Sequence, residues 1–175
     1  SYRPDQCTTE IARRLNAEGI NFYAPLVLSS ERLAQELRQE PVIQEQLATI
    51  PHCSLALYSV GGIEADSHLV KCGALTAEEM LALGEQGAVG VIAGQVIDRE
   101  GQLMDCAHNR RCISADLDSI RAIPKRMMVV QEDEKLEALI AAIKGGFASH
   151  LIITASMARR LLERWGVGAA TNTVA

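Results

Sequence analysis

The fold is decided by Gly87-Ala-Val-Gly-Val-Ile-Ala-Gly-Gln-Val-Ile-Asp98, an apolar run that is followed by the turn Arg99-Glu-Gly101 and by His108-Asn-Arg-Arg111. The apolar run predicts a buried strand over about 89–98. The turn predicts a hairpin that joins this strand to residues 102–105. Hydrogen-bond donors that follow a strand at one edge of an open α/β sheet are typical of a site for a polar, anionic ligand.

Apolar strands and amphipathic helices alternate on both sides of this segment. Further strands are predicted at about 21–28, 53–60, 126–130 and 149–154, and helices at about 9–18, 31–39, 41–50, 77–86, 115–120, 132–144 and 156–164. The alternation predicts an α/β fold with a mostly parallel sheet flanked by helices. Pro25 interrupts the first of these strands, because proline cannot donate to a ladder. The loop at Gly61-Gly62 follows a buried strand and is therefore expected at the carboxyl edge of the sheet, where ligands bind.

Composition limits the classes of function. A length of 175 residues predicts one domain, and a net charge of −5 argues against a nucleic-acid-binding surface within the chain. Five cysteines, an odd number, indicate neither a disulfide framework nor a zinc site. No apolar run has the length of a membrane span. A cytoplasmic protein with no cofactor is expected.

Several short motifs, in this order and spacing, resemble the effector-binding domain of the SorC family of bacterial transcriptional regulators. The motifs are Thr9-Glu-Ile-Ala-Arg-Arg-Leu15, Tyr23-Ala-Pro-Leu-Val-Leu-Ser-Ser30, Gly87-Ala-Val-Gly90, Gly94 with Asp98 and Gly101, Asn109 with Arg111, Ile123-Pro124, and Glu134-Lys135 leading to Ala141-Ala-Ile-Lys-Gly-Gly146. Each motif is weak alone, but together they cover about positions 3–163.

The resemblance implies a fold like that of the sugar-phosphate isomerases and deaminases. It implies a phosphorylated sugar as effector, with sorbose phosphate as a candidate, and a homo-oligomer, either dimer or tetramer. Operator DNA would be bound through a helix-turn-helix. That module, and the first strand of the fold with its phosphate loop, are expected to be absent from this chain. The effector-binding domain would then span residues 1–165 and a tail residues 166–175.

The resemblance, together with residue chemistry, suggests five ligand-binding residues. They are Lys135, Arg111, Asn109, Gln95 and Tyr23. Lys135 falls in the first turn of a helix after a buried strand, where an ammonium and backbone N–H groups can converge on a phosphate. A solvated lysine is the alternative, since three acidic residues precede it.

The other four candidates also have ordinary structural alternatives. Arg111 can hold phosphate bidentately and Asn109 can both donate and accept hydrogen bonds, but both could instead belong to a surface loop. Of Gln95 and Asp98, one is expected to face the pocket and the other to cap the Arg99-Glu-Gly turn, with Asp98 as the safer turn residue. Tyr23 could line the pocket, but a strand tyrosine is more often found in the core or at its rim. Related domains often carry aspartate at the position of Val91, which cannot accept a hydrogen bond. Either Gln95 or another polar group supplies recognition, or this member binds a different sugar from those relatives.

Two other functions stay open. An isomerase or deaminase of the same fold would need a positioned base, for which His108, Asp98, and Glu64 with Asp66 are candidates, although none has a recognisable catalytic spacing. A purely structural or oligomerising domain is the third possibility.

Overall fold

The computed structural model describes residues 4–166, with side chains from residue 6 onward. The predicted tail, apart from Gly166, lies outside the described residues. Nine α-helices occur in the described part: α1 Pro4–Leu15, α2 Glu31–Arg38, α3 Pro41–Thr49, α4 His68–Lys71, α5 Ala77–Glu85, α6 Ala107–Arg111, α7 Leu117–Ala122, α8 Leu136–Lys144 and α9 Ala155–Arg164. The strands are β1 Leu55–Tyr58, β2 Ala88–Ile92, β3 Gln95–Asp98, β4 Lys125–Val130 and β5 His150–Ile153.

Three strands form a parallel sheet in the order β1-β4-β5. Leu57 is paired with Met127, and Val130 with Ile153. The largest apolar core lies at this sheet and includes residues of α8 and α9. The predicted α/β fold with a mostly parallel sheet is therefore confirmed, as are the strands of this sheet and the helices that follow β4 and β5.

The segment from Gly87 to Asp98 is a hairpin, so the prediction of one long strand was wrong. β2 and β3 are antiparallel and are joined at Ala93-Gly94. Both turn residues have positive φ, 49° and 80°, which is the conformation of a tight two-residue hairpin turn. Both strands are buried, and the turn between them contains no polar residue. The hydrophobic pattern therefore resembles that of one continuous strand.

The hairpin predicted at Arg99-Glu-Gly101 is reduced to a capped turn. The Oδ1 atom of Asp98 accepts the backbone N–H groups of Glu100 and Gln102, both at 2.9 Å. Beyond this turn, only an isolated bridge joins Ile97 to Leu103. Asp98 is thus a turn residue, as the safer sequence interpretation had it.

Two further local predictions were wrong. Residues 21–28 form no strand; Val27 makes one isolated bridge to Cys112, and Pro25 explains why pairing does not extend. Residues 108–111, expected in a loop, belong to the short helix α6.

The predicted starts of α5 and α3 were correct, because the sequence carries clear signals there. Thr76 and Glu79 form a reciprocal capping box at α5, and Pro41 begins α3.

The hairpin contacts the loop after β1 and the helix α8. The N–H of Gly61, after β1, donates to the carbonyl of Val91, and the N–H of Val91 donates to the carbonyl of Gly61, both at 2.9 Å. On α8, Ala138 packs so closely against Gly90 that a Cβ on Gly90 would lie 3.0 Å from the Ala138 Cβ. These contacts fix the hairpin beside the carboxyl end of β1.

Apolar side chains remain exposed on the parallel sheet. Leu55 and Leu57 of β1 and Ile152 of β5 are 47%, 60% and 50% exposed. The alternation and register of the strands place these three residues on one face of the sheet. Within residues 4–166, no helix has the length and apolar character needed to cross a membrane.

Two glycines with positive φ provide a matched test of this packing. Gly101 (φ 72°) lies against α8, where an added Cβ would be 2.4 Å from the Ala141 carbonyl oxygen, whereas Gly73 (φ 75°) has open space around it. We expect Gly73→Ala to cost about 1–2 kcal/mol of unfolding free energy through left-handed strain alone. Gly101→Ala should cost clearly more in urea denaturation, and equal losses would contradict the packing described.

Candidate ligand-binding site

A cleft of about 420 Å³ opens at the carboxyl end of β1. This volume lies within the roughly 300–1,000 Å³ typical of small-molecule sites. The lining comes from the end of β1 and its following loop, from the start of α4, from the β2–β3 hairpin, and from the residue before α8. The cleft therefore occupies the edge of the parallel sheet at which α/β proteins bind ligands.

Lys135 is the only lysine or arginine that lines this cleft in the described part of the chain. It precedes α8, at the end of a 3₁₀ turn, Asp133–Lys135, that follows β4. Its ammonium lies 2.8 Å from a carboxylate oxygen of Glu132, and its side chain is 21% exposed. The hydrogen bond from Lys135 lowers the pKa of Glu132. Glu132 thus holds the ammonium beside the cleft. An anionic ligand would have to displace Glu132 or share the ammonium with it.

The loop after β1 contributes backbone rather than charged side chains. Gly61 and Gly62 line the cleft, as the position of the loop predicted. The Glu64 carboxylate packs against Gly62, so that a Cβ added there would lie 2.2 Å from its oxygens. The negative charge of Glu64 repels a phosphate from the glycine loop, so that a phosphate in the cleft is more favourable near Lys135.

Asn109 does not line the cleft; it holds the hairpin in place. Its Oδ1 accepts the N–H of Val96, and its Nδ2 donates to the carbonyls of Val96 and Met104, all at 2.8 Å. The side chain is 7% exposed. Its amide thus takes part in three hydrogen bonds to backbone, two to β3 and one to the segment after it.

Gln95 and Tyr23 also lie outside the cleft. Gln95 is buried, and its Nε2 donates to the Ala115 carbonyl at 2.8 Å. Tyr23 is 74% exposed. The structure therefore does not bring either residue together with Lys135.

Arg111 lines a different cleft, between α5 and α6. Its Nε donates to the Ala107 carbonyl at 3.3 Å. The neighbouring Arg110 is exposed and forms ion pairs with Glu31 and Asp105. Of the five residues proposed from the sequence, Lys135 alone lies in the cleft at the sheet edge.

Three of the four candidate bases of the enzyme hypothesis are engaged elsewhere, whereas the carboxylate of the fourth, Glu64, packs against Gly62 of the cleft loop. His108 is 2% exposed, and its Nε2 lies 2.8 Å from the Gly94 carbonyl oxygen, while its buried Nδ1 has no hydrogen-bond partner among residues 6–166. Burial lowers the pKa of His108, and the hydrogen bond to Gly94 opposes this shift only in part. Asp98 caps its turn, and Asp66 pairs with Lys71.

Sequence reasoning missed the contribution of α4. Ser67, His68 and Leu69 line the cleft beside the glycine loop. The segment between β1 and α5 has no clear hydrophobic period, and α4 has only four residues. Proximity to Gly61-Gly62 was the one signal that could have indicated these side chains.

Known proteins share both the sequence pattern and the fold. Residues 1–163 match the family model described as "Putative sugar-binding domain". The chain is 30% identical over 157 residues to the uncharacterized transcriptional regulator YjhU of Escherichia coli K12, which covers 90% of this chain and 48% of YjhU. It is also 30% identical over 143 residues to the transcriptional regulator LsrR of Escherichia coli O157:H7, covering 80% of this chain and 45% of LsrR.

Among solved structures, the full-length sorbitol operon regulator SorC from Klebsiella pneumoniae has a TM-score of 0.82 at 20% identity. The match covers 92% of this chain and 52% of SorC. At this identity the likeness shows the fold alone, and it confirms the fold relationship with SorC regulators that the sequence motifs implied. The chain spans about half the length of YjhU, LsrR and SorC.

The hydrogen bonds of Asn109 predict a structural effect of its removal. Asn109→Ala would remove the partners of the Val96 N–H and the Met104 carbonyl, at about 1–3 kcal/mol each, while the Val96 carbonyl would keep the N–H of Met104. We expect a loss of about 3 kcal/mol or more in the free energy of unfolding, measured in urea. Arg110→Ala, on the same helix, is the control and should change stability by less than about 1 kcal/mol. Equal stability of the two variants would contradict the role of Asn109.

Burial of His108 predicts a pH dependence of stability. Because its folded pKa lies below the unfolded value of about 6.5, the unfolded state takes up a proton first as the pH falls. Stability from this group is complete above about pH 6.5 and declines below it, by at most about 1.4 kcal/mol per pH unit. His108→Gln should remove this part of the slope in pH-dependent urea denaturation. The exposed His52→Gln variant should retain it, and an unchanged slope in His108→Gln would refute the assignment.

Proposed function

The chain belongs to the family of sugar-binding domains whose model it matches over residues 1–163, and from that premise we propose that its cleft binds a phosphorylated sugar as the effector of a bacterial transcriptional regulator. The observation that carries the proposal is the position of Lys135. It is the only lysine or arginine of the described residues that lines the cleft, and it lies where the chain passes from β4 into α8. An ammonium beside a helix start favours an anionic group of the ligand.

Phosphate binding at Lys135 would compete with Glu132. The Glu132 carboxylate lies 2.8 Å from the ammonium of Lys135 and occupies one of its hydrogen-bonding directions. Three N–H donors are available on an ammonium, so a phosphate can bind without complete loss of this ion pair. Glu132 would hold the Lys135 side chain near the cleft and weaken its attraction for the phosphate at the same time.

The regulatory part of the proposal is supported by the relatives. YjhU and LsrR are named as transcriptional regulators, and the chain covers less than half of each. In the proposed protein, operator DNA is bound by a helix-turn-helix outside this chain, and the effector changes the state of a homo-oligomer. The effector can shift that equilibrium only by the difference between its affinities for the two states. Sorbose phosphate is one candidate effector.

A sensing role is favoured over catalysis by the places of three of the four candidate bases, all but Glu64. The imidazole of His108 is bound to Gly94, and Asp98 and Asp66 hold a turn and an ion pair. None of these three side chains lines the cleft. A base within about 3 Å of a substrate proton, which isomerisation or deamination requires, therefore has no candidate among them.

A charge-removing substitution tests the assignment of Lys135. We expect Lys135→Met in the full-length protein to weaken the binding of a sugar phosphate roughly 10- to 100-fold, because a hydrogen bond to a charged group contributes about 1.5–3 kcal/mol. Isothermal titration with pentose and hexose phosphates, sorbose 1-phosphate included, gives the affinities. The ligand should also raise the melting temperature of the wild-type protein.

Lys144→Met is the matched control. Lys144 ends α8, forms an ion pair with Glu100 and does not line the cleft. Its substitution should leave the affinity unchanged. Equal affinity of Lys135→Met and the wild type would remove the site assignment, and failure of every sugar phosphate to bind the full-length protein would overturn the proposed function.

A further inference from the structure

We propose that a second cleft binds a small aromatic anion, with the ring of the ligand against Trp165 and its anionic group at Arg99. This second cleft has a volume of about 340 Å³ and lies between α8, the end of α9, the start of β2 and the turn after β3. Such a volume is sufficient for a small molecule. The second cleft and the cleft at the sheet edge share no lining residue among residues 6–166. The proposal therefore goes beyond the effector site and does not depend on it.

Arg99 gives the second cleft a positive charge that no acidic residue compensates. Two other cationic residues line this cleft, and both already form ion pairs. The ammonium of Lys144 lies 2.9 Å from the Glu100 carboxylate. The guanidinium of Arg164 lies 3.0 Å from the Glu137 carboxylate. Arg99 is exposed and makes no ion pair or side-chain hydrogen bond with another residue in the described part of the chain. Its guanidinium can therefore bind a carboxylate or phosphate through two parallel N–H donors.

The turn that carries Arg99 is fixed against α8. The Oδ1 atom of Asp98 accepts two backbone N–H groups of this turn, both at 2.9 Å. Gly101 lies so close to α8 that an added Cβ would be 2.4 Å from the Ala141 carbonyl oxygen. The backbone position of Arg99 is therefore set before a ligand binds, and only its side chain has to be ordered.

Trp165 gives the second cleft an aromatic surface. It is the only tryptophan of the chain, directly follows α9 and is 45% exposed. Its backbone N–H donates to the carbonyls of Leu161 and Leu162, both at 3.2 Å, so the residue is held to the end of the helix. The apolar residues Val89 and Ile140 line the same cleft. A ligand with an aromatic ring can thus bury its ring and the exposed indole together.

A ligand that matches these two residues has a planar ring and an anionic group. The ring can stack on the indole in an offset or edge-to-face arrangement, while the guanidinium binds the anionic group. Nucleoside monophosphates and aromatic carboxylates both have this chemistry. An anion without a ring would use Arg99 alone and should bind more weakly.

Isothermal titration of the full-length protein measures the preference for a ring. The 5′-monophosphates of adenosine, guanosine, cytidine and uridine are one set of probes, with inorganic phosphate as the reference. Benzoate and indole-3-acetate are the other set, with cyclohexanecarboxylate as the reference. We expect at least one aromatic probe to bind more tightly than its reference by roughly 3-fold or more. The set to which that probe belongs identifies the source of the ligand.

Three variants locate the binding of that probe. Arg99→Met should weaken it roughly 10- to 100-fold, because hydrogen bonds to a charged group are lost. Trp165→Leu should weaken it roughly 3- to 10-fold and should remove part of the ligand-induced change in tryptophan fluorescence. Arg159→Met is the matched control and should leave the affinity unchanged. Arg159 is an exposed arginine of α9 that does not line the second cleft.

The results that would overturn this proposal differ from those that bear on the effector site. The proposal fails if no aromatic probe binds more tightly than its reference, or if Arg99→Met and Arg159→Met have the same affinity for the probe. Arg99→Met should bind a sugar phosphate as tightly as the wild type does. A loss of aromatic binding in Arg99→Met with sugar phosphate binding retained would support two independent sites.

Discussion

The reciprocal backbone hydrogen bonds between Gly61 and Val91 join the β2–β3 hairpin to the parallel sheet. Elsewhere the hairpin is held by the contact of Gly90 with Ala138 on α8 and by the hydrogen bonds of Asn109 to Val96. The two hydrogen bonds between Gly61 and Val91 also shape the cleft, because they bring an aliphatic strand beside the loop that ends β1. Lys135, which follows β4, adds a cationic side chain to the same cleft.

Much of the fold could be predicted because its signals are local. The capping box of Thr76 and Glu79 and the proline at the start of α3 indicate helix starts directly, and the strands of the parallel sheet are short apolar runs between such helices. The hairpin was not predictable from hydrophobic pattern, since both of its strands are buried and its turn is only Ala93-Gly94. Positive φ at an alanine is a conformation that sequence patterns rarely indicate.

The site was predicted less completely, because a polar residue can serve a ligand or the protein's own backbone. Asn109 and Gln95 have the chemistry of sugar-binding residues, but in the structure their amides bind backbone groups of Val96 and Ala115. Lys135 differs because its place after β4 and before α8 is set by topology. Position along the sheet therefore predicted the cleft better than residue type did.

The most direct test of the ligand site is an amide ¹⁵N NMR titration of the full-length protein with a sugar phosphate that binds it. A ligand site in the sheet-edge cleft predicts the largest shift changes at Gly61, Gly62, Val91 and Lys135, which line that cleft. Smaller changes are expected around Arg111, which lines another. Shift changes that cluster at Arg111 and leave Lys135 and the glycine loop unaffected would contradict it.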